Sequence, residues 1–88
     1  MSLYFFHLRD GVDIVLDEEG RDYSGLDAVV AAALRDARSI VCDEVMLGRV
    51  DLDKRLDVED ADGRVVHTLA FGDAVEFVRP CDAEAGDA

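Results

Sequence analysis

His7 and His67 are the only histidines in the chain, and Cys42 and Cys81 the only cysteines. Both histidines fall in segments with a strand pattern. If the first and last strands were paired, the two imidazoles and a carboxylate would make an incomplete metal site. A strand histidine more commonly caps a sheet edge or bonds a backbone carbonyl. His7 and His67 therefore stand as weak metal candidates, and no cofactor is expected. Cys42 lies mid-helix, away from the helix N-terminus that would activate a thiolate. Cys81 falls in a polar tail, which argues against a disulfide framework. Ser24 is explained as a helix cap and Ser39 lies on a helix face. Gly20 and Gly25 lack the spacing of a phosphate-binding loop. No catalytic residue is assigned, and the chain is expected not to be an enzyme.

Two acidic loops, residues 17–22 and 60–63, invite a calcium reading. An EF-hand loop needs oxygen ligands at positions 1, 3, 5 and 12 around a glycine at 6. With Gly20 as that glycine, positions 1 and 12 are Val15 and Leu26. With Gly63 they are Val58 and Leu69. Both registers fail at their ends, and ordinary turns explain the loops.

The elements that must position these residues come from an 88-residue chain, half of it hydrophobic and 34% charged. That suits one globular domain with a small core. The expected domain is residues 1–79, with 80–88 a disordered acidic tail. Against 9 Lys and Arg stand 21 Asp and Glu, for a formal charge of -12. With the arginines scattered, that charge opposes nucleic acid and anionic membrane surfaces. No basic region leads into a long apolar segment, and no stretch approaches the roughly 20 apolar residues of a membrane span. A reduced, cytoplasmic protein is expected.

Residues 3–9 alternate two apolar sets, Leu3 and Phe5 against Tyr4, Phe6 and Leu8. Asp10-Gly11 is a hairpin signal, and residues 12–16 read as the return strand. Residues 17–22 read as a polar loop, and Ser24 with Asp27 as a capping pair. Leu26, Val29, Val30, Ala33, Leu34, Ala37, Ile40 and Val41 then recur at helical spacing, with Gly48 as the stop. Glu44 falls on the apolar stripe, where the helix is expected to overshoot the sheet. Residues 55–59 and 64–71 read as a second strand pair around an Asp60–Gly63 turn. Residues 73–78 suit either a short helix or a strand. The expected fold is α+β, in the order β-β-α-β-β: a mostly antiparallel sheet with one long helix on one face. The core is expected from Phe6, Leu8, Ile14, Leu16, Leu26, Val30, Ala33, Ala37, Leu56 and Val58.

The opening YFFHLRDG, residues 4–11, followed by DEEG, Asp17 to Gly20, resembles a family of short, mostly alphaproteobacterial proteins grouped as a domain of unknown function. Its members have a similar aromatic-His-Leu strand, a D-G turn, a D-x-x-G loop and an alanine-rich helix. They close on an apolar-Phe-x-D-A stretch, which here looks like Leu69 to Ala74. The resemblance runs from about Leu3 to about Val78, although Leu3 replaces the usual basic residue. It implies a single α+β domain of bacterial cytoplasm and supplies no activity.

Two function classes follow. The first is a small acidic interaction or regulatory module. The second is a partner of a small basic toxin, since the hairpin-then-helix order broadly resembles the HicB-like antitoxin domain. A weaker third is metal or ligand binding through His7 and His67. One helix cannot cover both apolar faces of the first strand, so a homodimer is expected, with Leu3, Tyr4, Phe5 and Phe6 as interface candidates. An unidentified protein partner is also admitted.

Overall fold

The computed structural model describes residues 1–78. The expected tail, residues 80–88, and Cys81 lie outside them. The elements are β1 (Ser2–Asp10), β2 (Asp13–Val15), β3 (Arg21–Tyr23), α1 (Leu26–Leu47), β4 (Arg55–Asp60) and β5 (Val65–Ala70), closed by a 3₁₀ turn over Phe71–Asp73. All strand pairs are antiparallel, and the sheet runs β2-β1-β4-β5, with β3 also paired to β1. The α+β class holds, and β3 is an addition, because part of the expected polar loop is a strand.

Strand β1 is the spine. Along one edge it pairs with β4 from Tyr4 to Arg9. Along the other it pairs first with β2 and then with β3. Between the Leu8–Val15 and Tyr4–Arg21 pairs, β1 contributes three residues and its partner five. β2 and β3 are thus one return strand interrupted by a two-residue bulge, which falls in the Asp17–Gly20 loop.

The helix begins at Gly25, with no side-chain hydrogen bond at its cap, so the expected Ser24–Asp27 pairing does not form. It stops at Gly48, whose φ of 88° suits a residue without a Cβ and whose N–H returns to Val45 O. Its buried stripe is Val29, Ala32, Ala33, Ala37 and Val41. The alanines let the helix backbone sit close to Phe6, Leu56 and Val58 of the sheet, and Phe71 and Ala74 close the core.

Four expected core positions are corrected. Leu26 and Val30 are exposed, because the helix turns its alanines to the sheet and leaves those larger side chains outside it. Ile14 is exposed because it lies opposite Arg9, on the sheet face away from the helix, and Leu16 because it follows the end of the short edge strand β2. Residues 73–78 form neither an α-helix nor a strand. Phe71 instead begins the 3₁₀ turn, and its N–H donates to Lys54 O at 2.9 Å.

Glu44 is also corrected. It does not overshoot into solvent: its side chain is only 13% exposed, accepts from the Asp51 N–H at 3.0 Å and pairs with Lys54. The Lys54 hydrogen bond holds the Glu44 carboxyl below the usual range, and the same contact raises the Lys54 ammonium. The pair fastens the last turns of α1 to the loop that leads into β4.

Candidate functional site

Strand parity sorts the opening aromatics. Residues directly opposite each other in an antiparallel pair share a face. Phe6 lies opposite Val58, and Val58 opposite His67, on the helix side. His7 lies opposite Asp57, and Asp57 opposite Thr68, on the side away from it. The two histidines are thus on opposite faces with β4 between their strands. The pairing of first and last strands that would have brought them together does not occur. Among the described residues, no group of three His, Cys, Asp or Glu side chains converges.

The loop residue Asp17 organises the return strand. Its Oδ2 accepts the Phe6 N–H at 3.1 Å, and its Oδ1 accepts the N–H groups of Glu19 and Gly20 at 3.2 and 3.1 Å. Its own N–H donates to His7 Nδ1 at 3.0 Å. Phe6 N–H falls where β2 has ended and β3 has not begun, and the carboxylate takes the place of a strand partner. Burial pushes the Asp17 carboxyl up, but the three backbone N–H bonds and nearby Arg21 outweigh it and hold the carboxyl below its usual range.

A charge cluster lies on the face away from the helix. Asp57 is buried, accepts from Arg9 Nε at 2.6 Å and Thr68 Oγ1 at 3.1 Å, and has Arg55 Nε 3.3 Å away. Burial would raise its carboxyl, and these partners lower it overall. His7, also buried, points Nε2 at Glu59 Oε1, 3.4 Å away. Both arginines thus converge on Asp57, while Glu59 faces His7.

The helix side carries a cleft of about 440 Å³, lined among others by Phe6, Leu8, Ile40 and Leu56 on its apolar floor and by Asp17, Glu19, Arg21, Asp36 and Ser39 at its rim. Geometry explains why it is open. Neighbouring strands lie about 4.8 Å apart and a helix is about 10 Å across, so one helix covers roughly two strands of four abreast. α1 packs on β5 and β4 and, at its start, against β3; Tyr4 and Phe6 of β1 are covered, and β2 with the Leu8 end of β1 is left open. Arg21 forms the lip: its guanidinium lies 4.2 Å over the Phe6 ring and donates to Asp36 on the helix.

Of the four expected interface residues, Phe6 is buried in the core and Tyr4 packs against that core on the helix side. Leu3 and Phe5 face away from the helix, half-buried. The loop partly covers them, since a Cβ on Gly20 would stand 2.9 Å from Phe5 Cε2 and 3.1 Å from Leu3 Cδ1. Cys42 and Ser39 are exposed. Sequence reasoning missed the cleft, whose signal was the mismatch between one helix and a sheet four strands wide.

The fold and cleft define a small α+β domain whose single helix covers one sheet face except at β2 and the Leu8 end of β1. A family model described as a domain of unknown function (DUF6894) matches residues 3–72, and the chain belongs to that family. No curated protein and no solved structure matches the chain. Among the described residues, no helix is long and apolar enough to cross a membrane.

Proposed function

We propose that the domain is a non-enzymatic protein-interaction module that binds through the helix-side cleft. The observation that carries this reading is the open cleft between α1 and the β1–β2 edge, where half-buried Leu8 and Ile40 stand over buried Phe6 and Leu56 inside a charged rim. The polar groups nearest to chemistry are committed to structure. Asp17 is saturated by backbone donors, His7 Nδ1 by Asp17, and Asp57 by arginines and Thr68. Affinity purification of the tagged protein from its native host at moderate salt tests the reading, with Ser39→Trp as the blocked form. Ser39 is an exposed position at the rim, so an indole there fills the mouth without disturbing the core. A protein retained by the unmodified chain and lost by the variant supports the reading. Identical eluates overturn it. A partner that is a small basic toxin from a neighbouring gene would select the antitoxin-like form of this function.

A homodimer is the second reading, and the face away from the helix favours it. In a chain of charge -12, that face sets Arg9 and Arg55 among Asp22, Asp57 and Glu59, so two copies meeting there face less repulsion than the charge of the whole chain would give. Leu3 and Phe5 would supply its apolar part. Sedimentation as a monomer at tens of micromolar protein and moderate salt ends this second reading.

A further inference from the structure

The cleft has a second property besides its apolar floor. Three carboxylates, Asp17, Glu19 and Asp36, stand at its rim against a single guanidinium, Arg21. That guanidinium is already bonded to Asp36 and laid over the Phe6 ring. Asp43, four residues after Ser39 and so next along the same side of α1, adds another exposed carboxylate. We infer that the occupant of the cleft is a basic amphipathic helix of a partner protein, lying beside α1 over β2 and the Leu8 end of β1, with its apolar side on Leu8, Val15 and Ile40. The inference rests on the cleft-binding reading above and names its partner class.

Width and charge lead to it separately. At the Leu8 end of β1 the uncovered part of this face, β1 beside β2, is two strands wide, about the span of one helix. A helix is also the element that lies along a groove with one apolar side down and its polar side outward. The apolar patch continues past the cleft onto β2, where Val15, opposite Leu8 on the same face, is 63% exposed. Charge then selects among helices. The chain's own helix does not suit the groove: α1 carries acidic residues along the side that borders it, and two copies at -12 each would set carboxylate against carboxylate. A partner with lysines or arginines flanking an apolar stripe meets the rim with opposite sign. Like-charge pairs at an interface weaken binding, and complementary ones speed association and make it salt-sensitive.

The test uses the full chain and three synthetic peptides of about 18 residues: a leucine–lysine amphipathic helix, the same pattern with glutamate for lysine, and a lysine-rich peptide of scrambled pattern. The leucine–lysine helix is expected to bind one to one by calorimetry at micromolar concentrations and to weaken as salt rises. Ser39→Trp and the paired reversal Glu19→Lys with Asp43→Lys should each weaken it by roughly tenfold or more, a change of about 1.4 kcal/mol. All three substitutions fall at exposed positions, and circular dichroism checks that each variant keeps its fold. Equal binding of the scrambled peptide would show attraction to charge alone and overturn the inference. Preference for the glutamate helix, lost in Ser39→Trp, would leave the cleft as a binding site and overturn its basic partner. No binding by the leucine–lysine helix also overturns the inference, while the cleft reading is then judged by the purification from the host. A dimer of the unmodified chain that Ser39→Trp abolishes would assign the cleft to a second copy instead.

Discussion

The main-chain N–H of Asp17 donates to His7 Nδ1 at 3.0 Å, while the carboxylate of the same residue accepts the N–H of Phe6, the neighbour of His7. One loop residue thus reads two consecutive residues of β1, one through its backbone and one through its side chain. The bond requires an unprotonated Nδ1, which puts the proton of the neutral ring on Nε2, facing Glu59. We expect ¹⁵N-detected spectra at neutral pH to show His7 as the Nε2–H tautomer. Detection of the Nδ1–H form would contradict the geometry. His7→Leu strands the Asp17 donor and should cost about 1–3 kcal/mol in urea unfolding. His7→Asn, which keeps an acceptor near the position of Nδ1, should cost less.

Gly20 should be the least replaceable loop position. Its φ is +76°, and an added Cβ would meet Phe5 Cε2 at 2.9 Å and Tyr4 O at 3.0 Å. Gly20→Ala therefore combines left-handed strain with a clash that includes immovable backbone, and should destabilise by about 1–3 kcal/mol or more. Gly48→Ala is the control. Its φ is +88°, but nothing lies within 4 Å, so only the conformational part is lost. Equal losses at the two positions would show that the Phe5 contact contributes nothing.

These two residues also show what was legible in the chain. The D-x-x-G spacing was visible, but its role was not, because it depends on a strand register that period-two patterning does not encode. Residues 17–22 carry no apolar alternation, so β3 reads as loop; its strand character comes from pairing with Ser2, Leu3 and Tyr4. The helix was legible from Leu26 to Gly48 because a 3.6-residue period and a glycine stop are local signals. Its rotation was not legible, since Val30 and Ala33 both fit the stripe and only packing decides that the alanine goes inward. His7 and His67 were legible as strand residues, but their separation follows from β4 lying between β1 and β5.

The acidic loops should not bind calcium. Asp17 spends both oxygens on three backbone donors, and Asp60 Oδ1 accepts from Asp62 and Arg64. A cation would have to displace bonds that hold each turn in shape. Titration with millimolar Ca²⁺ is expected to give no saturable heat and no change in melting temperature. A one-to-one isotherm would refute this.

Acid should loosen the domain through Asp17 and Asp57. Burial acts to raise both carboxyls. In Asp17 the backbone donors win, and in Asp57 Arg9, Thr68 and Arg55 win, so both are held below their usual range in the folded state. A carboxyl whose pKa is depressed by folding binds its proton more readily in the unfolded chain. Its stabilisation is therefore complete above the unfolded value near pH 4 and is lost as pH falls through the lower folded value. Arg9 and Arg55 are 43% and 49% exposed, so solvent screens their part of the Asp57 interaction. With that screening, Asp57→Asn should cost only about 1–2 kcal/mol at pH 7. Urea unfolding of the unmodified chain and Asp57→Asn between pH 7 and pH 2.5 checks the sign. The gap between the two proteins should stay constant down to about pH 4 and shrink below it, as the unmodified carboxyl becomes neutral like the amide. A gap that widens toward acid would mean that Asp57 is held above, not below, the ordinary carboxylate range, and that the arginines do not outweigh its burial.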